Sequence, residues 1–294
     1  MAKTRKRRSM LYIPGNNAAM IQQGGVYGAD CILLDLEDSI APGEKDAARI
    51  LLKHTIPVVN FYGAEVAVRI NHPDTPFGHD DIREIVPIQP DALRVPKIES
   101  ADDVLRVIGL IEETETAQGL LHDRLTIQAM IETAVGVENA LAIAKASPRV
   151  SSITIGGQDL AADMGISLEK DSCGIDYASR RIVMAAKAAH IEAMDTVFVD
   201  VDDEDGLRAA TQRAKEIGFT GKAAINPRQI EVINEVFTPT EQEIAKAIDV
   251  VSAFNRHKAA GVGVFALHGK MVDAPVVARA LHVLGLADID PETL

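Results

Sequence analysis

Two stretches of this 294-residue chain each read as a buried strand that finishes on an acid. Residues 125–132 (LTIQAMIE) end on Glu132, and residues 150–157 (VSSITIGG) pass through a Gly-Gly-Gln turn to Asp159 at the start of the next helical segment. A helical stretch, residues 134–146, joins them. In a parallel strand-and-helix protein the loops after neighbouring strands open on the same face, so the two carboxylates are expected side by side. Such a pair suits a hard divalent cation. Magnesium takes six oxygens and is commonly held by one or two carboxylates, with substrate and water completing the shell. No His or Cys stands beside the pair to favour zinc. The competing reading of both acids is that they start helices, where the macrodipole favours negative charge.

Polar residues recur at the ends of the other apolar runs. The second run ends Asp35-Leu36-Glu37-Asp38, the third carries Arg69 and Asn71, the fourth is followed by Lys97, the seventh leads to Asp200 and the eighth to Asn226. An arginine near the end of an apolar strand is costly unless paired, and its natural partner is a carboxylate gripped bidentately. For Arg69 that carboxylate is either the substrate's or one of the second-strand acids. Alternation sends Asp35 and Glu37 to one side and leaves Asp38 near the helix start. Asp35 and Glu37 are therefore candidate catalytic residues, one of them orienting Arg69 or a metal-bound water, while another acid caps the helix. Lys97, after Pro96, either binds a carboxylate or stands exposed. Asn226-Pro227 reads as a helix start, with Asn as cap and Pro in the first turn. The eight histidines show no metal spacing.

These residues need a scaffold that gathers strand ends at one face. Short β-rich runs alternate eight times with segments of helical period: the strands are expected at 9–14, 31–36, 66–70, 92–96, 125–132, 150–157, 196–199 and 222–225, with helices such as 44–54, 101–115 and 203–217 between them. Strict alternation implies a parallel sheet, and eight repeats imply an α/β fold closed as a (β/α)8 TIM barrel. The alternative, an open doubly wound sheet, lacks its G-x-G-x-x-G turn: the first strand is followed by Gly15-Asn16-Asn17. A barrel domain over residues 1–236 leaves 237–294 as a C-terminal helical extension, with a helix over 241–260, a Gly-rich extended piece over 261–269 and a last helix over 275–285. The extension is expected to cover the barrel mouth or a neighbouring subunit.

Composition agrees with a large-cored globular protein: 47% of residues are hydrophobic and 25% charged. A net charge of -13 argues against a general nucleic-acid binder. The exception is the basic cluster Lys3, Arg5, Lys6, Arg7 and Arg8, read either as a solvated tail or as a contact for phosphates or an acidic partner. Cys31 and Cys173 lack metal or redox spacing, which points to a reducing, cytoplasmic setting. No apolar run approaches a membrane span.

Seven segments together resemble the HpcH/HpaI aldolase family, and within it the citrate lyase beta subunits and related acyl-thioester lyases: RRSMLYIPGNN (7–17), GADCILLDLEDSIAPGEKDAAR (28–49), VRINHPDTPFG (68–78), LRVPKIES (93–100), AMIETAVGVENA (129–140), GKAAINPRQIEVIN (221–234) and HGKMVDAPVV (268–277). The resemblance implies a (β/α)8 barrel, usually a homotrimer, that uses Mg2+ to cleave a 3-hydroxyacyl thioester carried on coenzyme A or an acyl carrier protein. Other citrate lyase subunits are possible partners. It implies that Arg69 binds a substrate carboxylate and that Glu132 and Asp159 hold the metal; Lys97 and Glu132 stand beside Arg69 as candidate substrate contacts. Asp273 matches an aspartate that in some relatives reaches a neighbouring subunit's site and could protonate the product, a metal-bound water being the competing donor. Read from the residues alone, Asp273 is a helix cap. Asn226 resembles the citrate lyase subunits, whereas IGGQDLAADMG (155–165) and Glu132-Thr133 resemble free-standing coenzyme A lyases. The implied reaction is therefore cleavage of a citryl thioester to oxaloacetate and an acetyl thioester. The alternatives are a citramalyl- or malyl-coenzyme A lyase, a thioesterase or condensing enzyme, and, in a different class, a non-catalytic barrel subunit.

Overall fold

A computed structural model describes residues 6–122, 124–168, 173–259 and 264–294. Eight parallel strands follow one another around a closed barrel: β1 (Ser9–Pro14), β2 (Cys31–Asp35), β3 (Glu65–Arg69), β4 (Ala92–Val95), β5 (Thr126–Ile131), β6 (Val150–Ile155), β7 (Glu192–Asp195) and β8 (Gly221–Ala224), with β8 pairing back onto β1. The fold is thus the expected TIM barrel, with helices between its strands. Register carries the site's geometry. Asp35 pairs with Arg69, Arg69 with Arg94, and Arg94 with Gln128, so four polar side chains of neighbouring strands stand at one level.

Alternation along each strand separates the lumen from the helical layer. Met10, Cys31, Leu33, Ala67, Ala92 and Met194 point inward and pack together, with Tyr12 against them. The strand-start end of the lumen is charged. Arg7 donates to both oxygens of Glu65 at 2.5 and 2.7 Å and to Glu192 at 2.7 Å, while Arg8 grips Asp30 through two nitrogens at 2.8 Å. Arg7 and Arg8 are therefore structural, which corrects both readings of the basic cluster, a solvated tail and a contact for a phosphate or acidic partner, at these two positions. Lys3 and Arg5 lie outside the described residues.

The seventh strand differs from expectation. Residues 196–199 (TVFV) carry the better β-formers, yet the strand is Glu192–Asp195 (EAMD). Tertiary pairing overrides propensity here: Glu192 is held by Arg7, and Asp195 accepts from Lys222 Nζ at 2.5 Å. The strand consequently ends on Asp195. Asp200 is exposed in the following loop, accepting from the Asp202 N–H at 3.1 Å.

The helices that flank the strands are α1 (Ala18–Gln23), α2 (Lys45–Thr55), α3 (Gly78–Ile85), α4 (Ala101–Ala117), α5 (Ala134–Glu138), α6 (Ala140–Lys145), α7 (Gly157–Met164), α8 (Asp176–Ala189), α9 (Glu204–Ile217) and α10 (Arg228–Phe237). Ser100 and Asp103 form a reciprocal capping box at the start of α4. The single helix expected over 134–146 is two, broken at Asn139, whose side chain donates to Glu99 O at 2.9 Å. Helix α7 starts two residues after β6 and carries Asp159 in its first turn.

The chain divides into two compact units, one over residues 7–235 and one over 236–294 together with the N-terminal end, where Lys6 pairs with Asp288 at 2.7 Å. In the second unit α11 (Glu241–Ala259) and α12 (Ala274–Leu286) pack through Ala247, Val251, Ala280 and Leu284. Between them β9 (Phe265–Leu267) and β10 (Lys270–Val272) form a hairpin whose two turn residues, His268 and Gly269, both have positive φ, as a tight hairpin turn demands. Asp273 caps α12, its Oδ1 accepting from the Val276 N–H at 3.2 Å.

Glu65 is only 1% exposed and takes two charge-assisted hydrogen bonds from Arg7, so losing that guanidinium weakens a buried ionic cluster. Arg7→Ala is expected to lower unfolding stability by about 3–5 kcal/mol in urea titrations, and a change below about 1 kcal/mol would contradict the structural role given to Arg7.

Candidate active site

Glu132 follows β5 directly and is 2% exposed. Its Oε1 accepts from the Lys97 backbone N–H at 2.8 Å, and its Oε2 is buried with no hydrogen-bond partner. Burial pushes the carboxyl up to about 8, with the charges of Asp159 and Glu37 adding to the rise against the opposing Lys97 N–H and Arg69. The two acids predicted to meet are therefore close enough to repel. Backbone packing keeps them there: a Cβ on Gly156 would lie 2.5 Å from Glu132 Oε2, and one on Gly157 would lie 2.9 Å from Thr196 Oγ1, so this turn has room only for glycine. Among the described residues no group of three or more His, Cys, Asp or Glu has metal-holding geometry. Two carboxylates with one orphaned, buried oxygen fit magnesium, which leaves most of its shell to substrate and water.

Arg69 is held from below and from the side. Its Nε and Nη2 donate to the two oxygens of Asp35 at 2.7 and 2.8 Å, the bidentate form of an Arg–carboxylate pair. Its Nη1 lies 2.7 Å from Glu37 Oε2, a contact of charge rather than a directed hydrogen bond, and 3.4 Å from Asp38 Oδ2. Burial alone would raise Asp35, but the Arg69 fork and the N–H of Glu37, with Ser39, outweigh it and hold that carboxyl below its usual range. Glu37 goes the other way. Burial, then the charges of Asp38 and Asp35, push it up to about 7 against the pull of Arg69 and Lys97. Asp35 and Glu37, two residues apart, thus differ in protonation behaviour because only Asp35 receives the full fork.

Lys97 acts here through its backbone. It is a non-glycine residue at φ +53°, and this left-handed turn aims its N–H at Glu132. Its side chain is exposed, with Nζ 3.8 Å from Glu37 Oε1. Asn71 is structural, donating to Leu36 O at 2.9 Å and Asp81 Oδ2 at 2.7 Å. Asn226 is at a helix start as read, its Oδ1 accepting from the Arg228 N–H at 3.0 Å. Asp273 belongs to the other compact unit.

Arg69, Asp38 and Asp159 share a cavity of about 200 Å³ with Tyr12, Met130 and Thr154. The last three carry no signal in residue type, although counting inward positions back from the strand ends finds them. A larger cavity of about 490 Å³ lies between β7 and helices α8 and α9, lined by Ile175, Phe198 and Ala210 beside the Asp195–Lys222 pair. Neither Arg69 nor Asp159 lines it, whereas both line the smaller cavity, which is therefore the one with the predicted chemistry.

Residues 8–227 match the family model described as HpcH/HpaI aldolase/citrate lyase. The citrate lyase subunit beta of Leuconostoc mesenteroides subsp. cremoris is 42% identical over 288 residues, covering 98% of this chain and 95% of that one. The mitochondrial citramalyl-CoA lyase of Mus musculus is 33% identical over 291 residues, covering 96% and 86%. Among solved structures, the citrate lyase beta subunit of Mycobacterium tuberculosis complexed with oxaloacetate and magnesium superposes with a TM-score of 0.68 at 27% identity, over 81% of this chain and 99% of that one. With the barrel, its strand-end acids and near full-length similarity all in agreement, the chain belongs to the HpcH/HpaI aldolase/citrate lyase family.

Proposed function

We propose that this chain is a magnesium-dependent carbon–carbon lyase that splits a citryl thioester into oxaloacetate and an acetyl thioester by a reverse Claisen reaction. The observation that carries the reading is the unpartnered, buried Oε2 of Glu132 held against Asp159, a pairing that a cation would relieve. Similarity to the citrate lyase beta subunit of Leuconostoc supports the substrate class.

In this reading Glu132 and Asp159 hold the metal, which when bound supplies Lewis-acid polarisation to the substrate's hydroxyl and adjacent carboxylate. The Lys97 N–H fixes Glu132 Oε1 and so keeps Oε2 directed at the cation site. Asp35 locks the Arg69 fork, leaving Nη1 as the edge that meets a substrate carboxylate and fixes its pose. Glu37, poised near neutrality, is the member of the cluster suited to take the hydroxyl proton. As that proton leaves, the carbinol becomes a ketone, the carbon–carbon bond breaks, and its electron pair passes to the thioester as an enolate. Asp273 of a neighbouring copy is the proposed donor of the proton that the enolate then takes up. The C-terminal extension would bring it there in a homotrimer, and the thioester would be carried on coenzyme A or an acyl carrier protein in a cytoplasmic complex with other subunits.

A second reading, a citramalyl-coenzyme A lyase, is supported by similarity to the mouse enzyme. The two separate on product. The purified chain with Mg2+ is expected to release oxaloacetate from citryl-coenzyme A and to stop on chelation with EDTA. Pyruvate from citramalyl-coenzyme A as the faster product would favour the second reading, and no keto acid from either would defeat both.

Glu132→Gln and Asp159→Asn should each lower kcat by at least about 100-fold with the circular dichroism spectrum unchanged. Arg69→Lys should be comparably severe, because an ammonium cannot reproduce the fork on Asp35. An active variant of either acid would remove it from the site. The raised carboxyl of Glu132 also makes stability depend on pH. In chelator, the folded protein keeps a proton there that the unfolded chain releases above its ordinary value of 4.5, so stability is fullest below about pH 4.5 and falls as pH rises towards about 8. Urea unfolding at pH 5, 6.5 and 8 should show that decline, and Glu132→Gln should flatten it. An equal slope in the variant would assign the decline to other groups.

A further inference from the structure

Two arginines stand side by side in the lumen, and only one is neutralised by the protein. The charge of Arg69 is answered by Asp35 and Glu37, whereas its register neighbour Arg94 is wholly buried with neutral partners: Nη1 donates to Tyr12 Oη at 3.1 Å, Nη2 donates to Gln128 Oε1 at 3.0 Å, and Nε has no partner. Among the described residues no carboxylate pairs with it. Buried charges are ordinarily paired, so a guanidinium satisfied only by a phenol and an amide is short of an anion.

The route from Arg94 to the cavity runs through Tyr12. Tyr12 lines the cavity, accepts from Arg94, and has the Arg69 guanidinium 5.1 Å over its ring. Its oxygen being occupied by a charged donor, the hydroxyl proton is left to donate, and the accepted charge-assisted bond strengthens that donation. Thr154 lines the same cavity from β6. It is 1% exposed, and its Oγ1 is a buried hydroxyl with no partner. Two donors and a cation behind one of them describe a seat for a carboxylate separate from the acids that hold the metal and from the Arg69 edge.

We propose that Tyr12 Oη, backed by Arg94, and Thr154 Oγ1 bind a second carboxylate on the keto-acid half of the substrate and thereby determine which thioester is cleaved. The inference rests on the reading of this cavity as the lyase site. The competing substrates differ only in the group on the carbinol carbon: carboxymethyl in a citryl thioester, methyl in a citramalyl one, hydrogen in a malyl one. A carboxymethyl group meets both hydroxyls and answers the charge of Arg94. A methyl group leaves all three unmet, and a site built to hydrogen-bond a group discriminates strongly against the analogue lacking it.

Tyr12→Phe and Thr154→Val test this with two readouts. In steady-state kinetics with Mg2+, the ratio of kcat/KM for citryl- over citramalyl-coenzyme A is expected to fall about tenfold or more in each variant. In calorimetry, the wild type should bind oxaloacetate more tightly than pyruvate, and each variant should lose most of that preference. Thr154→Val guards against misfolding. Its hydroxyl has no partner to lose, so the melting temperature should hold or rise while specificity drops. Parallel loss on both substrates, or an unchanged ratio, would overturn the proposal. If the wild type cleaves no thioester the lyase reading fails, and calorimetry still decides this one: a preference for oxaloacetate that the variants abolish supports the carboxylate seat, and its absence from the wild type overturns it.

Discussion

The site depends on holding two carboxylates together where they repel. Glu132 is stripped of water and faces Asp159, and its carboxyl rises to about 8 in consequence. Neither acid can move away. Lys97, in a left-handed turn, pins one oxygen of Glu132, and the close approach of Gly156 and Gly157 fixes where α7 starts and so where Asp159 falls. A barrel is suited to this, since closure removes the sheet edges that would otherwise relax and delivers consecutive strand ends to one mouth.

Charge in the lumen is layered, and the layers have different duties. At the strand-start end Arg7, Glu65 and Glu192 form a mutually satisfied cluster that joins the chain's first strand to β3 and β7. An apolar ring of Met10, Leu33, Ala67 and Met194 lies among the inward side chains. At the mouth, Asp35 and Arg69 form a rigid pair, and Glu37 is left with the weaker share of Arg69. Pairing by protein groups gives rigidity, and incomplete pairing leaves room for chemistry: among the buried atoms without a partner, Arg94 Nε belongs to β4, Glu132 Oε2 to the residue that follows β5, and Thr154 Oγ1 to β6.

Much of this was legible because alternation and strand-end position are local properties. The first strand was read to the residue, and Glu132, Asp159, Arg69, Asp35 and Glu37 all stand at the barrel mouth as their places in the repeat required. What escaped was set by distant partners. Propensity favours TVFV as the seventh strand, whereas the strand is EAMD, whose two acids are paired by Arg7 and Lys222. Lys97 was read for its ammonium, but its N–H matters, and the backbone angle that aims it leaves no mark in composition. Arg7 and Arg8 looked like tail residues because Glu65, Glu192 and Asp30 are remote in sequence. Tyr12 and Thr154 are unremarkable as residue types, and only their shared cavity and the unmet charge beneath Tyr12 draw attention to them.

The central claim is that Glu132 and Asp159 jointly hold a divalent cation, and a crystal structure with Mn2+ in place of magnesium tests it most directly. The account predicts an anomalous peak between Glu132 Oε2 and the Asp159 carboxylate, coordinated otherwise by water or substrate oxygens. A cation found elsewhere in the barrel, or none at saturating Mn2+ with both carboxylates ordered as here, would contradict it.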